Sequence, residues 1–541
     1  MILRVAFVGW LFGGRILCLV IISSRETHVP IPNTLVKPLA ANGSAVYCGV
    51  RVGRRQAFFI FYLYATFCLF MKKSLLVVLC WVIVGIAYCF VPSVKTLQFG
   101  IDVLQENKFK NLKDAGRIGL LTHLASTNSD NIPTCDVFIE ANKAKDMLDG
   151  RLVCFFSPEH GFVGKREAGE SVDNELYKGI QVHSLYDGDS LKIKEDGFRD
   201  IDSLVIDLRD IGVRYYCYNT CMRFALEKAI KENKKVYILD RPNPLGRKIS
   251  GLCLEEGLQA YVGGFCISHV YGMTMGELAN MVVQDYIPHP WLPKLTPTDL
   301  ERAKSLLTVI SVKNWNPQKP WTEQTFKEGY YWHAPSPNIP CFESAQAYAG
   351  SIAVMSYGNF TTRFHDEKSD AHIDNVWMQP FILLQLPKSK FPDAGALEPI
   401  STQFNALKLP GISFFVNLEE LGIDLKIENW VAFDPWSFVM NALFLDRQID
   451  KAQGKYNKFR ALSEEGLRYL EADLDIPFSR YCGDPKRKIY WDVIRSILGN
   501  EELIDCLSGD VLTKDKIEYF IKLSQKQCEA FESKRKAWIL Y

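Results

Sequence analysis

Short apolar runs alternate with amphipathic segments between residues 96 and 290 of this 541-residue chain. A short continuous apolar run is typical of a buried strand, whereas apolar residues spaced three and four apart indicate a helix. These patterns predict strands at Arg117–Thr122, Arg151–Ser157, Ser203–Leu208 and Val236–Asp240, and helices at Thr134–Asp149 and Thr220–Asn233. Alternating strands and helices favour a parallel sheet covered on both faces, so residues 96–290 are predicted to form a Rossmann-like domain.

The rest of the chain predicts a second domain. Residues 291–338 are rich in proline and tryptophan and are interpreted as a connecting segment, and residues 339–541 mix strand and helix patterns. A charged helix is predicted at Lys514–Lys536, and Thr274 with Glu277 predicts a capping box with a structural role. The predicted fold class is α/β, with a Rossmann-like parallel-sheet domain followed by a C-terminal mixed α/β domain.

Residues 1–95 have a different character. Met71-Lys72-Lys73 precedes the uncharged segment Ser74–Val94, which is long enough to span a bilayer and is typical of a signal peptide or signal anchor. We therefore expect export to a periplasmic or membrane-anchored extracytoplasmic location, with membrane contact through this segment if it is not cleaved. Residues 1–70 contain apolar patches at Val5–Ser24 and Ala57–Phe70, which are either extra membrane segments or part of an upstream translation artefact.

Charge and motif content exclude several classes of protein. The chain has 63 Lys and Arg against 62 Asp and Glu, so no nucleic-acid partner is expected. The 15 cysteines include no C-x-x-C pair, and the histidines and cysteines lack ligand spacing, so no metal site is predicted. No G-x-G-x-x-G follows a predicted strand and no phosphate-binding loop occurs, so no cofactor is expected.

Polar residues follow each of the four predicted strands. They are Thr122-His123, Ser157–Gly161, Asp207–Asp210 with the segment to Tyr218, and Asp240–Asn243. Ligands of open parallel sheets bind outside the carboxyl ends of the strands. The sequence therefore predicts a polar cleft at this edge, suited to a ligand with many hydroxyl or anionic groups.

Glu159 is the main candidate for acid–base chemistry in this cleft. It follows a strongly apolar strand and lies between Pro158 and His160. Partial burial would raise its pKa and suit it to act as a general acid. A surface glutamate in a salt bridge is the alternative, and sequence position alone does not decide between the two.

Three aspartates follow the other strands. Asp207 is predicted to be half-buried, with Arg214 or backbone amides as its partners, whereas Asp210 is freer to react. Asp240 and Arg241 are predicted to form an ion pair that orders a tight turn. Two carboxyl groups facing each other would suit a glycoside hydrolase, which needs an acid and a second carboxylate.

Seven motifs occur in order along the chain: SPEHGF at Ser157–Phe162, AGE at Ala168–Glu170, HSLY at His183–Tyr186, DLRDIGVRYYCY at Asp207–Tyr218, LDRPNPLG at Leu239–Gly246, YGMTMGELA at Tyr271–Ala279 and PSPNIP at Pro335–Pro340. The set resembles one known family, the NamZ-type exo-β-N-acetylmuramidases, and the resemblance runs from about Phe99 to the C-terminus. The members of this family are bacterial glycosidases that remove N-acetylmuramic acid from the non-reducing ends of peptidoglycan fragments.

The resemblance implies an active site in the cleft between the two domains and a role for each matching residue. Glu159 would be the catalytic acid, and Asp210 is our hypothesis for the carboxylate that stabilises the transition state. Residues at motif positions would bind the sugar: His160, Arg214, Tyr218, Asp240, Arg241, Asn243 and, from the second domain, Asn338. The implied partners are peptidoglycan-derived saccharides or muropeptides.

The sequence also departs from the family pattern. Arg209 replaces a usual Gln, Val270 replaces a common Arg, and two glutamate-containing stretches are eroded at Ser356–Arg363. If those glutamates bind or polarise the substrate, activity is weakened. The alternative interpretation is therefore a catalytically impaired muropeptide- or sugar-binding protein of the same fold.

Overall fold

The computed structural model describes residues 3–12, 15–24, 97–164, 173–185, 197–318, 331–355, 381–386, 391–452 and 488–541. The chain divides into two compact units, residues 1–95 with 327–329, and residues 96–326 with 330–541. In the first unit, β1 (Leu3–Phe12) and β2 (Arg15–Ser24) pair as an antiparallel hairpin. Within the described ranges, none of the helices combines the length with the apolar composition that a membrane span requires. The predicted signal segment Ser74–Val94 lies outside the described residues.

The strands of the second unit belong to three sheets. They are β3 (Ile118–Thr122), β4 (Leu152–Ser157), β5 (Glu175–Tyr177), β6 (Ile180–Ser184), β7 (Ser203–Asp207), β8 (Lys235–Leu239), β9 (Ser250–Cys253), β10 (Ser268–Val270), β11 (Leu307–Ile310), β12 (Leu383–Gln385), β13 (Ile412–Asn417) and β14 (Gly422–Ile427). The central sheet has the order β11-β8-β7-β3-β4-β6-β5 and is parallel except for β5. Strands β9 and β10 pair with each other, and β12-β14-β13 form an antiparallel sheet.

The helices of this unit cover the sheets and build the C-terminal part. They are α1 (Gly100–Glu106), α2 (Thr134–Lys143), α3 (Cys217–Lys231), α4 (Met275–Gln284), α5 (Pro297–Leu306), α6 (Phe342–Met355), α7 (Ala394–Ala406), α8 (Pro435–Ala452), α9 (Lys488–Leu498), α10 (Glu501–Ser508) and α11 (Lys514–Arg535). Helix α11 packs on β9 and β10, and α8 packs on α6 and α11. The predicted α/β fold class is confirmed.

The four predicted strands correspond to β3, β4, β7 and β8, with ends that shift by one residue. The apolar residues of β3, β7 and β8 are buried because helices cover the sheet, whereas Val153 in β4 is exposed. Strand β3 begins at Ile118 rather than Arg117, since the amide of Arg117 donates to the carboxylate of Asp202 at 2.8 Å. The boundaries of a strand therefore depend on neighbours that are distant in sequence.

Helix boundaries show the same dependence. Helix α3 begins at Cys217, three residues before the predicted Thr220. Cys217 and Tyr218, the last residues of the polar segment after β7, therefore form the first turn of this helix. Helix α2 ends at Lys143, short of the predicted Asp149. The capping box at α4 is confirmed, because the Thr274 hydroxyl accepts from the Glu277 amide and the Glu277 carboxylate accepts from the Thr274 amide.

The C-terminal part packs directly on the Rossmann-like part. The Arg535 guanidinium at the end of α11 donates to the carbonyl oxygens of Tyr271 and Gly272, at 3.1 and 2.9 Å. The imidazole of His269 in β10 hydrogen-bonds with the Ala349 carbonyl of α6. These contacts cross the predicted connecting segment 291–338, whose assignment as a domain boundary stays a prediction.

Candidate active site

The loop that carries Glu159 is a strained turn at the carboxyl end of β4. Pro158 has no amide hydrogen, and the Gly161 amide donates to the Pro158 carbonyl at 3.2 Å, which closes the turn. His160 and Gly161 both have left-handed backbones, with φ of 69° and 76°. This conformation costs a non-glycine residue about 1–2 kcal/mol, and such strain is concentrated at functional sites. The turn places Glu159 inside the protein, with 5% of its surface exposed.

The carboxyl group of Glu159 lies beside the first turn of α3. The ligand atoms of Glu159, His160 and Cys217 all lie within 4.8 Å of one another, and all three residues are buried. Burial, followed by the nearby charge of Glu159, raises the pKa of the Cys217 thiol well above its usual range. The thiol therefore stays protonated and hydrogen-bonds with Glu159. In the described part of the chain these three groups could hold a metal ion, a cluster that sequence spacing missed because Cys217 lies on another element.

Tyr218 forms the wall next to this cluster. Its ring contacts those of His160 and His123, with centroid separations of 6.1 and 4.9 Å. Its hydroxyl donates to the carbonyl of Pro335 at 2.6 Å, which ties it to the loop that carries Asn338. Burial raises the pKa of Tyr218 well above its usual range, and the charge of Glu159 contributes. The structure thus brings Glu159, His160 and Tyr218 together.

Asp210 supplies a second carboxyl group near Cys217. One of its oxygens, Oδ2, accepts from the Gly212 amide at 2.8 Å and from the Tyr271 hydroxyl. Its other oxygen, Oδ1, is buried and has no hydrogen-bond partner among the described residues. Burial raises the pKa of Asp210 to about 6. The charge of Asp210 adds to the effects of burial and Glu159 in raising the pKa of the Cys217 thiol.

The partners of Asp207 differ from the predicted ones. Asp207 is fully buried, not half-buried, and it pairs with Arg241 at 2.5 Å and with the Thr134 hydroxyl at 2.6 Å. Arg214, the predicted partner, makes none of these bonds. The error arose because Arg214 is close in sequence, whereas Arg241 follows the adjacent strand β8 and reaches Asp207 across the sheet.

The predicted ion pair between Asp240 and Arg241 is also absent among the described contacts. The Asp240 carboxylate instead accepts from the Thr274 hydroxyl, the Gly276 amide and the Tyr541 hydroxyl, at 2.7, 2.9 and 2.7 Å. Successive side chains leave an extended backbone on opposite sides, so these two residues reach different neighbours. Burial raises the pKa of Asp240 to about 6.

Two other expected sugar-binding residues have their polar atoms bound to backbone. The Arg214 guanidinium donates to the carbonyls of Leu252 and Ile267, at 2.7 and 2.8 Å, and to those of Ser496 and Ile497, at 3.4 and 3.1 Å. The Asn243 side chain donates to the Met273 carbonyl and accepts from the Leu245 amide, both at 2.9 Å. Their contacts are structural, and their binding of a sugar stays a prediction.

Some of the buried polar atoms without a partner belong to the residues that follow the central strands or to the loop of Asn338. Such atoms are rare in folded proteins and call for an explanation. Among the described residues they include Ser157 Oγ, Asp210 Oδ1, Tyr216 OH, His123 Nδ1, Arg241 Nη1 and Asn338 Oδ1. A polar ligand at this edge would satisfy them. None of His123, Tyr216 and Cys217 was among the predicted site residues, although all three lie within the strand-end segments that the sequence marked.

The residues that depart from the family pattern lie in different parts of the structure. Arg209 lies at the carboxyl end of β7 with 9% of its surface exposed, and its Nε donates to the Ala125 carbonyl at 2.9 Å. Val270 is fully buried in β10. The eroded stretch Ser356–Arg363 lies outside the described residues, as does the AGE motif at Ala168–Glu170.

The fold and the site together define a class: an α/β protein with a buried glutamate and a second carboxyl group at the ligand-binding edge of its parallel sheet. The family model for the N-terminal part of the exo-beta-N-acetylmuramidase NamZ matches residues 118–343. The chain is 30% identical, over 330 residues, to the peptidoglycan beta-N-acetylmuramidase NamZ of Bacillus subtilis (strain 168), covering 60% of this chain and 67% of that protein. The chain belongs to the NamZ family.

One solved structure agrees on the fold. A DUF1343 family protein from Bacteroides fragilis superposes with a TM-score of 0.59 at 24% identity, covering 82% of this chain and 99% of its own. A second DUF1343 family protein from that organism covers 83% of this chain and 99% of its own, with a TM-score of 0.47 and 22% identity. The first of these supports the α/β architecture described above.

Proposed function

We propose that this protein is an exo-acting glycoside hydrolase that releases N-acetylmuramic acid from the non-reducing ends of peptidoglycan fragments. The observation that carries the proposal is the buried, turn-constrained carboxyl group of Glu159 at the carboxyl edge of the sheet, with Asp210 near the same thiol. Membership of the NamZ family supplies the substrate class, since the relative from Bacillus subtilis is a peptidoglycan beta-N-acetylmuramidase.

In the proposed reaction Glu159 acts as the general acid. It protonates the glycosidic oxygen as the bond to the terminal sugar breaks, which turns the second sugar into a neutral leaving group. The Cys217 thiol and the strained backbone of His160 hold this carboxyl group in place. A positioned acid of this kind contributes about 10²- to 10⁴-fold to a rate.

Asp210 would stabilise the positive charge that develops on the sugar ring. Its Oδ1 atom is the part of the carboxylate that the described residues leave unpartnered, so it is available to the substrate. Its Oδ2 atom is held by Gly212 and Tyr271, which orients the group. In a buried site, where water is scarce, such an interaction is stronger than at a surface.

The test uses the MurNAc–GlcNAc disaccharide and the purified protein. Released N-acetylmuramic acid is measured by chromatography for wild type, Glu159→Gln and Glu140→Gln, the last being an exposed glutamate of α2 as a matched control. We expect Glu159→Gln to lose about 10²-fold or more in rate and Glu140→Gln to keep the wild-type rate. A Glu159→Gln variant as fast as wild type refutes the role of this residue.

The same experiment separates the enzyme from a binding protein of the same fold. If wild type binds the disaccharide in calorimetry but releases no sugar, the protein is a catalytically impaired binder. Release of sugar by wild type eliminates that alternative. It would also show that the changes at Ser356–Arg363 do not abolish activity.

We also propose that the protein is exported, because the Lys72-Lys73 pair and the apolar segment Ser74–Val94 are typical of a signal peptide or anchor. Residues 71–95 fused to a reporter that is active only outside the cytoplasm should direct its export. A fusion in which both lysines are replaced by Glu should export less. Equal reporter activity with and without residues 71–95 refutes the proposal.

A further inference from the structure

Two buried guanidinium groups lie at the carboxyl ends of the adjacent strands β7 and β8. Arg241 binds Asp207 through Nε and Nη2, while its Nη1 is buried and has no partner among the described residues. Only 7% of the Arg241 side chain is exposed. Arg209 lies close by, since burial and the charge of Arg241 lower its pKa to about 9. Two cations therefore share one buried space.

The neighbouring histidines do not balance this charge. Burial and the two arginines lower the pKa of His333 to about 4 and hold that of His123 well below its usual range, so both rings are neutral. His123 Nε2 accepts from the Arg209 amide at 3.3 Å, which leaves the proton on Nδ1. That Nδ1 is buried without a partner among the described residues and is a second available donor.

Asp207 binds Arg241 directly, and its charge also acts on Arg209. One aspartate against two arginines leaves an excess of one positive charge in a buried space. An unbalanced buried charge is costly, and proteins keep such a charge where a ligand of opposite sign neutralises it. An anion with a single charge would do so, whereas a neutral hydroxyl group would not.

This cationic pocket adjoins the candidate active site. The His123 ring contacts Tyr218, the charge of His160 also acts on His123, and Tyr218 contacts His160 in turn. A single ligand with a sugar at Glu159 can therefore place a different group at Arg209 and Arg241.

We propose that Arg209, Arg241 and His123 bind a carboxylate carried on a side arm of the terminal sugar, which in N-acetylmuramic acid is the lactyl group. The inference rests on the proposed function and adds the part of the substrate that this pocket selects. Arg241 Nη1 and His123 Nδ1 are the donors that the described residues leave over for this carboxylate. Arg209, whose Nε and Nη2 donate to Ala125 and Thr127, adds its positive charge. A sugar whose carboxyl group is esterified or joined to a peptide through an amide lacks this charge, so it should bind more weakly.

The test measures binding rather than turnover. N-acetylmuramic acid, its methyl ester and N-acetylglucosamine are titrated into the purified full-length protein by calorimetry. We expect the acid to bind about tenfold more tightly than either neutral sugar, which corresponds to about 1.4 kcal/mol. Arg209→Gln should remove most of that difference, whereas Arg199→Gln, at an exposed position, should keep it.

The possible outcomes test the proposed carboxylate site separately from the proposed hydrolysis. Equal affinity for the acid and its ester in wild type, or no binding of the acid, overturns the carboxylate site, even if the disaccharide is cleaved. Preference for the acid without cleavage supports the site and refutes the proposed hydrolysis. If Arg209→Gln fails to fold, as circular dichroism would show, the comparison of acid and ester in wild type still decides.

Discussion

Arg241 and Asp207 form a bidentate ion pair between the ends of two neighbouring strands, with Nε–Oδ1 and Nη2–Oδ2 distances of 2.5 and 2.8 Å. The hydroxyl of Thr134 also donates to Oδ2, so both oxygens of Asp207 are satisfied within the protein. Phe99 covers the guanidinium, whose carbon lies 5.1 Å from the ring centroid. The pair holds Arg241 in the position that leaves its Nη1 for a ligand.

Breaking this pair from one side should destabilise the fold. We expect Asp207→Asn to lower the free energy of unfolding by about 3–5 kcal/mol, because it leaves a buried guanidinium without its carboxylate. Urea denaturation measures the loss. Asp202→Asn is the matched control, since Asp202 pairs with Arg117 at an exposed site and should matter far less. Equal losses of unfolding free energy in the two variants would show that the buried ion pair stabilises the fold no more than the exposed one.

Asp210 should make stability depend on pH. Its pKa is raised from 3.8 to about 6 by burial, so the folded protein holds the proton more tightly than the unfolded chain. The stabilisation is therefore complete below about pH 4 and is lost as the pH rises through about 6. Asp210→Asn removes the buried charge and keeps an acceptor for Gly212 and Tyr271.

We expect Asp210→Asn to be more stable than wild type above about pH 6, by about 1–3 kcal/mol, with the difference shrinking toward about pH 4. Denaturation curves for the two proteins across this range measure the effect. Asp299→Asn is a useful contrast, because hydrogen bonds from Thr296 lower the pKa of Asp299 and reverse the sign. A difference for Asp210→Asn that does not change with pH contradicts the raised pKa.

Arg214 should behave as a structural residue. Its guanidinium joins β9 and the residue before β10 to the end of α9 through four carbonyl oxygens. Lysine keeps the charge but cannot present the same planar set of donors, so Arg214→Lys should cost about 2–4 kcal/mol of unfolding free energy. Thermal and urea denaturation check this, with the exposed Arg199→Lys as control. An Arg214→Lys protein of wild-type stability that has lost sugar binding would instead favour direct contact with the ligand.

The C-terminal residue should also contribute to stability. The Tyr541 hydroxyl donates to the Asp240 carboxylate at 2.7 Å and accepts from the Val312 amide at 2.8 Å. Tyr541→Phe removes both bonds and should cost about 1–3 kcal/mol. Tyr519→Phe is the matched control, because the Tyr519 hydroxyl bonds to Glu502 at an exposed site. A loss no larger than that of the control would mean that water replaces the hydroxyl at Asp240.

Local patterns were sufficient for the parts of the fold that depend on neighbouring residues. The capping box of Thr274 and Glu277 is an example, since both of its bonds join residues three apart. Strand β7 is another, because a strand covered on both faces needs a continuous apolar run wherever it lies in the sheet. The position of Glu159 could be recognised because it directly follows the apolar run of β4.

Local patterns could not predict which residues distant in sequence would form hydrogen bonds or ion pairs with each other. Asp207 could have paired with any nearby cation, and the parallel register of β7 and β8 is what brings Arg241 to it rather than Arg214. Cys217 reaches Glu159 only because α3 begins at the sheet edge. Hydrophobic periodicity reports which side of an element is buried, but it carries no information about which other element supplies the contact.

The sequence by itself therefore determined the α/β class, the four central strands, the strand-end location of the polar residues and, through its motifs, the family. Tertiary structure decided the burial of Glu159, its contact with Cys217 and the pairing of Arg241 with Asp207. The physical reason is that burial, hydrogen-bond partners and electrostatic fields arise from groups that packing brings together, whereas strands and caps arise from residues already adjacent in the chain.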